Sequence, residues 1–175
     1  MKKHICVLML LFIATLPILS SCSSDDDSAG NQNSVKLDGQ PFSIVNPIMA
    51  GVSINGTGHI GASLFNQNGS VANVLTIDFE YFADQAIEGD YAYPETEGVK
   101  KLTSITNYTE FVINGNTTET KSFTISKGTF ALQDNGEDNY TLTMDLILTN
   151  SQEERRVFKG TYTGDFMVQI NNGTL

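Results

Sequence analysis

Residue types that carry much of enzyme chemistry are scarce in this 175-residue chain, which has no tryptophan, two histidines and two cysteines. Nucleophilic catalysis by serine or cysteine generally needs a neighbouring base, most often histidine. A structural zinc site needs a cluster of cysteine and histidine ligands. The composition therefore argues against both kinds of site.

Basic residues are also few. Against 20 aspartates and glutamates stand 10 lysines and arginines, so the formal charge is −10 and the pI is near 4.4. This excludes nucleic-acid binding that depends on net charge, because phosphate neutralisation needs a basic surface. Apolar residues, in contrast, make up 40% of the chain and include 10 phenylalanines. With this length, they predict one domain with a sizeable core.

The longest apolar run lies at the N-terminus. It spans residues 5–19 and directly follows the basic start Met1-Lys2-Lys3-His4. The run is shorter than the roughly 20 residues that a transmembrane helix needs. This order of basic and apolar regions predicts a secretory signal peptide in residues 1–21. Without that peptide, 8 bases and 20 acids remain, a net charge of −12.

A motif of small residues before a cysteine, Leu19-Ser20-Ser21-Cys22, ends this segment. It resembles the lipobox of bacterial lipoproteins. The resemblance implies that Cys22 becomes the new N-terminus and that acyl chains on it anchor the protein to the outer membrane. Several acyl chains hold a protein stably where a single one is marginal. Cys6 would leave with the signal peptide, so the mature chain would have no disulfide. The alternative is an ordinary signal peptide followed by an incidental cysteine.

A short acidic stretch follows the cysteine and consists of Ser23, Ser24, Asp25, Asp26 and Asp27. It resembles the export signal of Bacteroidetes-type surface lipoproteins, which implies a location on the outer face of the outer membrane. The alternative is a periplasmic orientation. In either case residues 22–34, from the acylated cysteine onward, are predicted to form a flexible acidic tether, because such a composition has little apolar surface to bury. Asp27-Ser28-Ala29 also resembles a short O-glycosylation motif of the same bacteria, with Ser28 as the acceptor.

Residues 35–175 alternate β-branched and aromatic runs with glycine, asparagine and aspartate. The pattern predicts a single all-β domain, an antiparallel meander that forms a β-barrel or a β-sandwich, with little helix. Asp38-Gly39 predicts a tight hairpin. We also expect strands over residues 102–113, 118–126 and 129–132, and a short strand over residues 86–93 that includes Tyr91. Lys100 and Lys101 form a basic pair between residues 93 and 102. Gly160 and Gly164, among aromatic residues, predict close approach of a neighbouring layer or strong coiling. The side chains that the alternation assigns to the core include Leu142, Leu146, Leu148, Phe158, Tyr162 and Phe166.

The last third of the chain carries a second resemblance, in residues 128–130, 139–143 and 158–164. These segments are similar to the C-terminal meander of small uncharacterised Bacteroidetes lipoproteins. Some of those proteins have lipocalin-like or calycin-like barrels, so the resemblance implies a calycin-like barrel as one form of the domain. It implies no settled activity.

Candidate catalytic residues are few. His59 is the one histidine that remains after the predicted processing, and no Gly-x-Ser-x-Gly elbow accompanies it. Asp78 and Glu80 share one strand face about 7 Å apart, as paired carboxylates of a glycosidase could. We expect both on the wet face, where such pairs are usually solvated. We therefore predict no catalytic residue.

One polar turn gathers oxygen donors in Asp134, Glu137 and Asp138. Such donors suit calcium, but the EF-hand spacing and its distant glutamate are missing. A hairpin turn accounts for the same residues, since Asn, Asp and Gly tolerate left-handed backbone. We predict no metal and no cofactor.

These observations favour a lipid-anchored cell-envelope module that binds without catalysing, with a glycan, a peptide or an envelope protein as its partner. The alternative is a calycin-like carrier or inhibitor that holds a small apolar ligand in a barrel cavity. A hydrolase is the third hypothesis. A lined cavity behind Gly160 and Gly164 would favour the carrier.

The lipobox-like motif predicts that the mature chain begins at Cys22 and carries lipid. Metabolic labelling with palmitate, followed by intact-mass measurement of the membrane-extracted protein, checks this. The Cys22→Ala variant is expected to lose both the label and the membrane fraction. A variant that still partitions with membranes would contradict lipid anchoring at this residue.

Overall fold

A computed structural model describes residues 32–68, 71–115 and 117–173. This part of the chain contains thirteen strands and no helix. The strands are β1 (Gln32–Asn33), β2 (Lys36–Leu37), β3 (Gln40–Pro41), β4 (Val45–Ile54), β5 (Thr57–Asn68), β6 (Val71–Phe82), β7 (Gly89–Tyr93), β8 (Lys100–Lys101), β9 (Asn107–Asn114), β10 (Thr117–Gly136), β11 (Asn139–Thr149), β12 (Arg155–Asp165) and β13 (Met167–Gly173). The predicted all-β fold is confirmed.

All the strands belong to one sheet that curls into an open half-barrel. Its order is β13-β4-β5-β6-β9-β10-β11-β12-β2-β3, with β1 beside β12 and with β7 beside β10 and β8. The sheet is mixed, so the purely antiparallel meander was wrong: β13 runs parallel to β4, and β7 runs parallel to β8. Only Phe166 separates β12 from β13, so the chain keeps its direction from one strand to the next. β12 pairs antiparallel with β11, and β13 then lies parallel to β4.

The inward face of the sheet holds the core, as the alternation predicted. The six side chains assigned to it from β11, β12 and the residue after β12 are all at most 5% exposed. On β6, Leu75, Ile77 and Phe79 are fully buried in the same way. Aromatic rings pack edge to face in the interior, with Phe42 and Phe158 centroids 5.2 Å apart and Tyr108 and Phe158 centroids 4.9 Å apart. Side chains therefore fill the interior around these rings, where a carrier would hold its ligand.

Two local predictions from glycine are also confirmed. Asp38 and Gly39 have φ values of 50° and 83°, and they connect β2 to β3 as a hairpin. At Gly160, φ is 137°, and a Cβ atom would lie 2.5 Å from the carbonyl oxygen of Ser34. Close approach of a neighbouring segment thus explains this glycine. The domain includes Gln32 to Ser34, which the sequence analysis placed in the tether, because β1 pairs with β12.

Strand boundaries differ from the prediction at two places. The segments expected as two strands, residues 118–126 and 129–132, form the single strand β10, in which a bulge between Ile125 and Lys127 shifts the register. A strand expected over residues 102–113 begins only at Asn107. Its first residues form a turn instead, held by a backbone bond from the Thr106 amide to the Thr103 carbonyl oxygen of 3.2 Å.

The alternation on β11 makes a stability prediction. Leu146→Ala is expected to lower the free energy of unfolding by about 2–5 kcal/mol, because Leu146 is fully buried. Thr143→Ala is the control on the opposite face, where the exposed hydroxyl bonds only to Thr161 at 3.1 Å, and should cost under about 1 kcal/mol. Urea unfolding of both variants measures the difference. Equal losses would contradict the assignment of faces.

Candidate functional site

The residues of the predicted anchor lie outside the described part of the chain. They are Cys22, the acidic stretch Ser23, Ser24, Asp25, Asp26 and Asp27, and the glycosylation candidate Ser28. Lipid attachment, export and glycosylation therefore stay predictions. In the three described ranges, the structure has no helix that could cross a bilayer.

Of the calcium candidates, Asp134 lies at the exposed end of β10, and Glu137 and Asp138 form the exposed turn between β10 and β11. Asp134 Oδ1 accepts a hydrogen bond from the Gly136 amide at 2.8 Å, and the Asp138 carbonyl oxygen accepts one from the Phe166 amide at 2.9 Å. Glu137 and Asp138 have positive φ values of 55° and 61°. These contacts form a turn. Nowhere in the described residues do three or more potential ligands gather around a metal position.

The structure brings His59, Asp78 and Glu80 together on the outer face of β5 and β6, where His59 is the register partner of Glu80. His59 Nδ1 lies 3.0 Å from Asp78 Oδ1. The expected solvation of the two carboxylates is only partly right, because their side chains are 13% and 28% exposed. The turn of residues 102–106 bonds to Asp78, and Lys101 just before it bonds to Glu80. Sequence reasoning had assigned residues 102–106 to a strand.

Asp78 holds this turn in place. Thr103 Oγ1 donates to Asp78 Oδ1 at 2.5 Å, and the Thr103 amide donates to the Asp78 carbonyl oxygen at 2.9 Å. Thr106 Oγ1 accepts from the Asp78 amide at 2.9 Å and lies 3.1 Å from the Asp78 carbonyl oxygen. These bonds from the side chain and the backbone of Asp78 stabilise the turn of residues 102–106. The pair His59–Asp78 thus has an architectural explanation that requires no reaction.

A cleft of about 200 Å³ lies next to this cluster, and Glu80 belongs to both. Its walls come from the end of β6, from the segment between β6 and β7, and from β8 with the loop before it. The cleft is lined by Glu80, Tyr81, Phe82, Gln85, Ala86, Ile87, Tyr91, Glu95, Val99, Lys100 and Lys101. It therefore combines aromatic surface, both signs of charge and an amide, but has no serine, threonine, cysteine or histidine.

The charged groups in the cleft are already arranged by their neighbours. Lys101 Nζ donates to Glu80 Oε1 at 3.1 Å, and this hydrogen bond raises the pKa of Lys101. Lys100 Nζ donates to the carbonyl oxygens of Ala86 and Glu88 at 2.6 and 2.7 Å. The same ammonium lies 5.6 Å from the centroid of the Tyr91 ring, an attractive cation–π distance. Lys100 thus fixes the loop that forms one wall.

Tyr91 forms the floor of the cleft. It is 1% exposed, and its hydroxyl donates to the carbonyl oxygen of Ile87, while burial raises the pKa of Tyr91 above its ordinary value. The ring also packs on Phe79, with centroids 4.8 Å apart. The floor is rigid because the Tyr91 hydroxyl is hydrogen-bonded and its ring packs on Phe79.

A larger groove of about 590 Å³ runs over β7, β10, β11 and β12. Its lining includes Thr129, Thr143 and Thr161, with the ion pair of Asp145 and Lys159 at 2.7 Å beside them. Four threonines, two aspartates and a lysine line it, so it has placed polar groups as the cleft does. Its two aromatic residues, Tyr91 and Phe130, are each only 1% exposed, whereas Phe82 in the cleft is 37% exposed. The cleft is therefore the better candidate for a ligand that contacts both ring surface and polar groups.

Sequence reasoning missed most of the cleft. It noted Lys100 and Lys101 only as a basic pair, and it assigned Tyr91 to a short strand. The cleft is built from the ends of separate elements, and no motif in the sequence signals such a meeting. Comparison of the chain with protein families, with curated proteins and with solved structures finds no match.

The role of Lys100 predicts a local change in dynamics. Lys100→Met keeps the length of the side chain but removes the two bonds to the carbonyl oxygens of Ala86 and Glu88. Amide hydrogen exchange in residues 84–89 is expected to become faster, because a wall held by side-chain bonds opens locally without them. Lys159→Met is the control, since Lys159 is exposed and pairs with Asp145. Unchanged exchange in residues 84–89 would show that Lys100 does not hold the wall.

Proposed function

We propose that the protein is a lipid-anchored cell-envelope binding module whose cleft takes one unit of a neutral, hydroxyl-rich glycan. The observation that carries this proposal is the composition of the cleft. Tyr81 and Phe82 offer ring surface, while Glu80, Gln85 and Lys101 offer acceptors and donors. Hydroxyl groups need both kinds of hydrogen-bonding partner, and C–H faces of a sugar ring need apolar surface.

The size and charge of the protein support the same class of ligand. A volume of about 200 Å³ suits a single small unit more than an extended apolar molecule. The chain has a net charge of −10, which disfavours approach to anionic glycans, nucleic acid or anionic lipid. A neutral ligand meets no such barrier. The Glu80–Lys101 ion pair is partly exposed, so a hydroxyl can bond to either partner without leaving a buried charge alone.

Binding without turnover is part of the proposal. The cleft lining contains no histidine, serine, threonine or cysteine, so Glu80 and Glu95 are the carboxylates in it that could do acid–base or nucleophilic work. Glu80 is engaged with Lys101 at 3.1 Å. His59 lies beside the cluster, but its Nδ1 is engaged with Asp78 at 3.0 Å. The location on the outer face of the outer membrane, which the N-terminal resemblances imply, would present the cleft to glycans of the environment or to envelope partners.

The proposal predicts binding on a glycan array by the full-length lipidated protein in mild detergent. Phe82→Ala should weaken the best array signal at least about tenfold, the equivalent of about 1.4 kcal/mol, because Phe82 is 37% exposed at the cleft. Glu80→Gln should weaken it similarly by changing an acceptor. Glu119→Gln, an exposed carboxylate on β10 outside the lining, is the matched control.

Three results would change the conclusion. Binding of peptides or of an envelope protein, lost in the same two variants, would keep the cleft but replace the ligand class. Glycan binding that survives both variants would place the site elsewhere. Product formation from the bound glycan, abolished by Glu80→Gln, would make the protein an enzyme.

A further inference from the structure

Charged residues are unevenly distributed along the chain and therefore over its surface. Residues 39–77 contain no aspartate, glutamate, lysine or arginine, and neither do residues 166–175. The chain as a whole has 30 such residues, 10 basic and 20 acidic. The two charge-free segments meet in the fold, because β13 pairs with β4 and β4 pairs with β5.

The outward side chains of β4 and β13 form one continuous surface, which we call the neutral face. Met167 lies beside Ile48, Gln169 beside Ala50 and Asn171 beside Val52. Ile54 continues the row on β4. The neutral face thus consists of Ile48, Ala50, Val52, Ile54, Met167, Gln169 and Asn171. The inward side chains of the same strands, such as Met49, belong to the core.

This face is apolar as well as uncharged. Met167 is 61% exposed, Val52 is 55% exposed and Ile54 is 48% exposed. Of six large hydrophobic side chains that are exposed in the described residues, these three and Val45 lie on β4 or β13. Single exposed apolar residues are ordinary, but clusters of them on one face typically mark an interaction surface.

The strand at the end of the neutral face is also unprotected. β13 is the terminal strand of the sheet order, and no other described strand pairs with it besides β4. Its sequence, Met-Val-Gln-Ile-Asn-Asn-Gly, has neither a charge nor a proline. Natural proteins usually blunt such edges with lysine, proline or a bulge. An edge without these devices is expected to be covered.

We propose that the neutral face packs against the same face of a second copy of this chain. Repulsion between acidic surfaces favours contact of two copies at this face. Each chain has a net charge of −10, so two copies that approach through other surfaces bring like charges together. At the neutral face, contact buries apolar side chains and amides and leaves no charge desolvated. Contact of one face with itself generates a closed two-fold dimer rather than a fibre.

This inference is independent of the proposed glycan site, since none of the seven residues of the neutral face lines the cleft. The position of His59 also fits the dimer. It is the register partner of Val52 on β5, so an exposed imidazole lies between the neutral face and the carboxylates of Asp78 and Glu80 on β6.

The experiment is sedimentation velocity of the full chain, purified in a density-matched detergent, over a concentration series. The wild type is expected to form a dimer with a dissociation constant of about 10 µM or tighter. Val52→Glu should raise that constant at least tenfold, because it places two acids in the contact. Thr143→Glu is the matched control on the exposed face of β11 and should leave the dimer intact. Circular dichroism melting shows that both variants fold.

A wild-type chain that stays monomeric throughout the series would overturn the proposal. An unchanged dimer in a folded Val52→Glu variant would overturn it too, by placing the interface elsewhere. A third arm tests lipid as the occupant, with vesicles of neutral phosphatidylcholine and the Cys22→Ala chain. If monomers of the Cys22→Ala chain pellet with these vesicles, and the double variant Cys22→Ala/Val52→Glu does not, the neutral face would be assigned to the membrane and not to a second copy.

Discussion

One continuous segment, β12 with β13, connects one end of the sheet to the last long strand near its other end, and the rest of the structure depends on it. β12 extends the long antiparallel run through β10 and β11, and after Phe166 the chain continues as β13 beside β4. Phe166 is 5% exposed and packs edge to face on Tyr140 and Tyr162. A sheet held at both ends in this way must curl, and curling is what encloses the aromatic core on one side.

The curled sheet has consequences for its outer surface. Loops and short strands that cross the outside are held by individual polar contacts, since no second layer covers them in the part of the chain that the structure describes. Asp78 holds the turn of residues 102–106, and Lys100 holds the segment before β7. The cleft exists because these two attachments place the end of β6, the loop and β8 around Tyr91. Charged residues therefore act here mainly by holding loops and turns in place, and the cleft is what they enclose.

The acidic charge of the chain is unevenly distributed over the fold. All of it lies outside residues 39–77, so the region of β4 and β5 is neutral while the remainder is strongly acidic. Long-range repulsion keeps acidic surfaces apart, whereas a neutral apolar region pays no such penalty on contact. This distribution suits the uncharged ligand proposed for the cleft, which lies in the charged part of the chain, and it suits the proposed contact of two copies through the neutral face of β4 and β13.

The sequence by itself determined the elements and their faces, because a period of two in hydrophobicity directly encodes which side of a strand is buried. Leu142, Leu146, Phe158 and Tyr162 follow from that rule, and so does the hairpin at Asp38-Gly39. Only the tertiary structure decided the parallel pairing of β13 with β4, the continuous strand β10 and the cleft. Pairing partners far apart in the chain depend on how a sheet curls, and a cleft depends on where loop ends meet. Neither the pairing partners nor the position of the cleft repeats along the chain, so the alternation of apolar and polar residues does not predict them.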